Sequence, residues 1–218
     1  MGPDLFHPNP EFLFARGAGP LFDMGPYYLT TLVHIFGSIQ SVAAVGAQSR
    51  PTRTIQAGSR AGSTFDVQVP THVSAIAKYV GGGVSQSIFS FDSPLSRQGV
   101  VEINGTEGTL VVPDPNRFTG DVKITKAPAW EGLRKPVEWE SIPIEGAYAE
   151  RGLGVLDLAR AVRRGGRPLA SGELGFHVLD TLVAIETAIN EDRTVPVDSR
   201  VAPVGLVADD YDPFTATL

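Results

Sequence analysis

Asp23 and Tyr27 lie four residues apart in the stretch Gly17-Ala18-Gly19-Pro20-Leu21-Phe22-Asp23-Met24-Gly25-Pro26-Tyr27-Tyr28. A carboxylate and a phenol at that spacing stand one turn apart on a helix. Together they could hold a hydroxylated substrate and move a proton. The competing reading is structural: Asp23 caps the helix and Tyr27 packs. The helix itself is well marked. Leu29, Leu32, Val33 and Phe36 recur at helical spacing and predict a buried face. Pro26 suits a first-turn position, and Gly37 suits the residue past the end. That start would leave Asp23 at or just before the helix N-terminus, where the dipole favours its charge. Tyr27, Thr31 and His34 fall on another face.

The elements that must position this helix follow in order. Residues 38–49 read as a strand, and residues 50–66, with Arg50, Arg53 and Arg60, as a long polar excursion. Gly58 to Ser63 could cradle an anion, but it follows no clear strand, and a surface loop explains it better. Residues 71–80 alternate, with Val73, Ala75, Ala77 and Tyr79 on one side. Gly81-Gly82-Gly83 then turns the chain into a second alternating run over 84–92, which predicts a hairpin. A further hairpin is expected over 100–112, and weaker strands over 121–125 and 137–142. Pro128 and Trp130 mark an exposed connection between those two. Leu153, Leu156, Ala159 and Val162 predict a helix ending at Gly165-Gly166 with a solvated cluster of Arg160, Arg163, Arg164 and Arg167. A last helix is expected from about Glu173 to Asn190, capped by Ser171, with His177 packed inside. A loose strand and an acidic tail (Asp209, Asp210, Asp212) close the chain. This order predicts an α+β fold: an open-faced, mainly antiparallel sheet with helices on one face.

Composition narrows the function classes. The 218 residues carry a net charge of -6, which argues against a nucleic-acid surface. With no cysteine there is no disulfide, thiolate metal site or cysteine nucleophile. The histidines at 7, 34, 72 and 177 lack metal-ligand spacing, so no metal is expected. No apolar run is long enough to span a bilayer, and no signal peptide is evident, which makes a cytoplasmic protein the default. No strand leads into Gly-x-Gly-x-x-Gly, so no dinucleotide-binding domain is visible.

The Gly17–Tyr27 stretch resembles the segment that begins the second domain of the glucose–fructose oxidoreductase/inositol dehydrogenase (Gfo/Idh/MocA) family. The similarity continues through Phe65-Asp66-Val67, Pro70-Thr71-His72-Val73 and Ser90-Phe91-Asp92. It includes Glu102-Ile103-Asn104-Gly105-Thr106-Glu107-Gly108-Thr109-Leu110 and Gly172 to Asp180. It implies a domain that holds a sugar or polyol and forms homo-oligomers through its sheet, downstream of a Rossmann domain that binds NAD(P). Asp23 matches the family's active-site aspartate. Tyr27 stands where histidine is usual, and both are implied to be catalytic. As a phenol with an ordinary pKa near 10, Tyr27 would need a neighbouring cation, which the family takes as a lysine from the first domain. His7, in Phe6-His7-Pro8-Asn9-Pro10, resembles the loop lining the pocket; with Asp23 and Tyr28 it is implied to bind substrate.

The expected division is an irregular pocket and linker segment over residues 1–22 and a substrate-binding, oligomerising domain over 23–218, the upstream Rossmann domain being absent. Such a chain should be inactive alone and bind NAD(H) or NADP(H) no better than about millimolar, roughly -4 kcal/mol. The rival expectation is a non-catalytic ligand-binding or assembly module with the same fold.

Overall fold

The computed structural model describes residues 1–94, 101–126, 137–143, 150–207 and 212–215. They fall into two compact units: residues 1–96 with 171–204, and residues 97–170 with 205–218. The expected connection at Pro128 and Trp130 and the acidic Asp209 and Asp210 lie outside the described residues.

The first unit opens with two short 3-10 turns, Pro3–Leu5 and Glu11–Phe14. Helix α1 then runs over Gly19–Phe36, not from Pro26 as the sequence pattern predicts. Pro20 takes the first-turn position and Pro26 sits inside the helix. Pro26 removes the donor that would meet the Phe22 carbonyl, at a typical cost of about 3 kcal/mol. Burial of the first two turns offsets it. Leu21 is buried, and a Cβ on Gly25 would stand 2.6 Å from Leu182 Cδ2. Gly25 thus lets α1 approach helix α3 (Gly172–Glu191) closely. At the other end Gly37 closes α1 as predicted, with φ 79° and its N–H on the Val33 carbonyl at 2.9 Å.

The central sheet pairs β1 (Ile39–Ala47), β4 (His72–Tyr79) and β5 (Val84–Ser90), all antiparallel; β10 (Val195–Pro196) pairs with the outer edge of β1. Val73, Ala75, Ala77 and Tyr79 point inward, as their alternation predicts. Helix α1 covers β4 and β5, and α3 covers β1. The opposite face leaves Val45, Ile76, Val84 and Ile88 exposed. Between β1 and β4 the polar excursion folds as a small ribbon, β2 (Thr52–Thr54) with β3 (Thr64–Asp66). Its ends carry buried apolar residues, Ile55 and Phe65 joining Phe14, Val67 and Phe91 in a buried cluster, while residues 58–63 are exposed.

Helix α3 spans Gly172–Glu191, and the Ser171 hydroxyl accepts the Leu174 N–H at 3.2 Å. Its buried side carries Val178, Leu182 and Ile185. His177 is wholly buried: Nε2 accepts the Ile39 N–H at 2.9 Å, and Nδ1 lies 2.8 Å from Ser199 Oγ. The Ile39 N–H therefore assigns the ring proton to Nδ1, which donates to Ser199.

The second unit holds a meander of β6 (Val101–Asn104), β7 (Gly108–Val112), β8 (Val122–Lys126) and β9 (Glu140–Ile142), antiparallel throughout. The expected strands are present, but they form a separate sheet. Helix α2 spans Leu153–Arg164 and turns differently from expectation. Val162 is exposed; Arg160 and Ala161 are buried. Arg160 is no solvated end residue: Nη2 donates to the carbonyls of Pro213 and Thr215 at 3.2 and 2.9 Å. These carbonyls accept from a guanidinium that the periodicity of the helix assigns to solvent.

Burial lowers the pKa of His177 below its usual 6.5, helped by Arg200 and opposed by Asp180 and Ser199. Unfolding therefore takes up a proton below about pH 6.5. The contribution is complete above that pH and is lost as pH falls toward the folded pKa. Urea midpoints between pH 7.5 and 5 should fall for the parent chain, and more shallowly for His177→Gln.

Candidate active site

The sequence-predicted catalytic pair sits on one helix. Asp23 lies in the second turn of α1 and Tyr27 one turn later. Both are exposed, on the side away from Leu21, Gly25, Leu29 and Leu32. Cβ atoms at this spacing stand roughly 5–6 Å apart. Asp23 is therefore no cap: it is four residues inside the helix. Partial desolvation raises its carboxyl pKa above the ordinary value. Among the described residues no hydrogen bond or ion pair involves the Tyr27 hydroxyl, leaving it available to a ligand. Thr31 Oγ1 donates to the Tyr27 carbonyl at 3.1 Å. His34, two turns on, is also exposed, and partial burial lowers its pKa.

Tyr28 points elsewhere. Its ring meets Phe89 of β5 edge-on at 6.3 Å, between helix and sheet. His7 follows the first 3-10 turn, and its N–H donates to the Pro3 carbonyl at 2.8 Å. Its ring stands edge-on to Phe12 at 5.4 Å, and Nδ1 accepts the Asn9 N–H at 3.0 Å. The structure brings Asp23 and Tyr27 together on one face. Among the described residues no hydrogen bond joins His7 or Tyr28 to that pair.

What secures the 1–22 segment lies partly outside the sequence expectations. Arg53 of β2 is buried and donates from Nη1 to Asp4 Oδ1 at 3.0 Å and from Nη2 to Asp92. Its guanidinium stacks 5.1 Å from the centre of the Phe14 ring. Thr71 and Ser49 also donate to Asp92, at 2.6 and 2.7 Å. Burial pushes the Asp92 pKa up, but these hydrogen bonds and the Arg53 charge outweigh it and hold the carboxyl low. The signal in the sequence is faint: an arginine at the inward register position of Thr52-Arg53-Thr54, opposite Phe65.

Two glycines shape the start of α1. Gly17 and Gly19 have φ 81° and 87°, as left-handed turns require. A Cβ on Gly19 would lie 3.0 Å from Val69 Cγ2 and 3.3 Å from the Pro70 carbonyl oxygen, so that space is filled by the chain itself. The segment before α1 is a 3-10 turn, not a strand. Among the described residues no cluster of histidine and carboxylate side chains could hold a metal ion, and no helix is long and apolar enough to cross a membrane.

Residues 2–111 match the GFO/IDH/MocA C-terminal domain. The chain belongs to the Gfo/Idh/MocA family. No curated protein sequence matches it. Among solved structures, levoglucosan dehydrogenase in complex with NADH and L-sorbose superposes with a TM-score of 0.66 at 21% identity, over 84% of this chain and 52% of that one. An NAD binding oxidoreductase from Klebsiella pneumoniae gives 0.62 at 19%, over 83% and 51%. An oxidoreductase domain protein from Kribbella flavida gives 0.61 at 19%, over 84% and 52%. These likenesses establish the fold that the Gfo/Idh/MocA chain shares with them. The chain spans about half the length of each.

Removing Arg53 would strand two carboxylates, one of them deeply buried. Breaking a buried pair costs on the order of 3–5 kcal/mol. Arg53→Ala should lose about that much in urea unfolding, whereas Tyr27→Phe should stay within about 0.5 kcal/mol of the parent.

Proposed function

We propose that this chain is the substrate-binding and oligomerising half of a cytoplasmic NAD(P)-dependent oxidoreductase acting on a sugar or polyol. The carrying observation is the side-by-side exposure of Asp23 and Tyr27 on α1, in a domain of this family. Levoglucosan dehydrogenase structures holding NADH with L-sorbose or with levoglucosan support the substrate class. In this reading residues 1–22 supply the pocket loop and residues 23–218 the domain behind it. Asp23 accepts hydrogen bonds from substrate hydroxyls and keeps the reacting one in line. Tyr27 exchanges a proton with that hydroxyl oxygen. His7 binds the rest of the substrate.

Gly19, the first residue of α1, is packed against Val69 and Pro70, so the space beside it is filled by the chain itself. In this reading the nicotinamide cofactor is the ligand of a separate Rossmann domain, which also supplies the cation that a phenol needs to exchange protons near neutrality. The test is steady-state kinetics on a full-length protein carrying both domains. Tyr27→Phe should lower kcat by 10²–10⁴-fold, the usual worth of a general acid–base group. The 218-residue chain alone should show no turnover. Parental kcat in Tyr27→Phe would remove Tyr27 from the chemistry.

The exposed face of β1, β4 and β5, with Val45, Ile76, Val84 and Ile88, is the surface by which copies pair in this reading. A standard interface buries on the order of 1,600 Å² in total. Light scattering at high micromolar concentration should report a dimer or larger; a soluble monomer would rule the pairing out.

A further inference from the structure

The loop that carries His7 lies on the β2–β3 ribbon. A Cβ on Gly58 would stand 2.6 Å from Pro8 Cβ, so Pro8 rests on that glycine's bare backbone, whose φ is 77°. The Gln56 N–H donates to the Asp4 carbonyl at 2.9 Å. Arg60, on the turn between β2 and β3, reaches across in a fork: Nη1 donates to Asn9 Oδ1 at 3.2 Å and Nη2 pairs with Glu11. Its carbonyl is anchored by Ser63, accepting the N–H at 3.1 Å and the hydroxyl at 2.5 Å. The guanidinium therefore spans Pro10 and grips the residues on both sides of it. Asn9 is the residue whose N–H meets His7 Nδ1. In a neutral imidazole the nitrogen that accepts a hydrogen bond leaves the proton on the other.

We propose that Arg60 is a positioning residue for the substrate pocket. By gripping Asn9 and Glu11 it keeps the Asn9 N–H on His7 Nδ1. That places the His7 proton on Nε2 and makes this nitrogen a dedicated donor to a substrate oxygen. The ligand chemistry is an oxygen acceptor, either a hydroxyl or the carbonyl of the oxidised form. The inference rests on the reading that His7 lines the pocket. Only arginine suits the place: its planar fork reaches two acceptors at once, whereas lysine reaches one.

Two measurements separate this inference from the reading beneath it. Nitrogen-15 spectra of the imidazoles in the 218-residue chain report the tautomer directly. With four histidines in the sequence, His7→Gln identifies the His7 signals. The parent should show His7 protonated at Nε2. Arg60→Gln, and Glu11→Gln from the other side of the pair, should give a mixture of tautomers with unchanged melting; Arg60→Lys should not restore the parental spectrum. In the full-length protein, Arg60→Gln should raise KM for the sugar or polyol roughly three- to tenfold, the worth of one hydrogen bond. KM for the dinucleotide should not move, and kcat should change less than KM. A parental His7 tautomer in both variants overturns the inference. A shifted tautomer with parental KM for the sugar overturns the placement of His7 in the pocket, and the proposal with it.

Discussion

The buried guanidinium of Arg53 constrains the first unit more than any other single group. A charge withdrawn from water costs several kcal/mol unless partners replace the lost hydration. Arg53 draws those partners from distant places: Asp4 from the opening turn, Asp92 from the end of β5, and the face of Phe14 from the second turn. Thr71 and Ser49 complete the shell around Asp92. The irregular opening segment is thereby tied to β2 and β5, although it has no strand or long helix of its own. Beneath it, Phe14, Ile55, Phe65, Val67 and Phe91 form the apolar floor. The ion pairs bring the segment to that floor, and the apolar contacts hold it there.

The helix with Asp23 and Tyr27 owes its stiffness to different forces. Its inner side is committed to α3 and to β4 and β5, with Gly25 allowing the close approach to Leu182. Pro26 weakens the backbone between Asp23 and Tyr27 by one hydrogen bond, but both flanking turns are pinned by buried leucines. Asp23 and Tyr27 thus stand on a rigid element, while His7 stands on a loop. That loop needs a second support, and the β2–β3 ribbon provides it through Gly58 and Arg60.

In the proposed function this chain contributes proton chemistry and hydroxyl recognition. Carboxylate, phenol and imidazole groups suit an oxygen-rich substrate. At the start of α1 the space beside Gly19 is taken by Val69 and Pro70. Glycine there serves chain packing, and the same residue type at the same place in another fold would serve a ligand.

Periodic elements were legible in the sequence. The alternation of Val73, Ala75, Ala77 and Tyr79, the triple-glycine turn, the Ser171 cap and the Gly37 stop all depend on neighbours a few residues away, and all are found. So was the pairing of Asp23 with Tyr27, since one helix fixes their spacing. The family could be read from the same local motifs. The start of α1 could not: Pro20 and Pro26 both suit a first turn, and only the burial of Leu21 and Gly25 against α3 decides for Pro20. Likewise the sequence marks Arg53, Arg60 and Arg160 simply as charges on polar stretches. Their partners lie 49, 51 and 53 residues away. Whether an arginine is solvated, buried or bridging depends on which acceptors the folded chain brings to it, and that is decided by tertiary contacts alone.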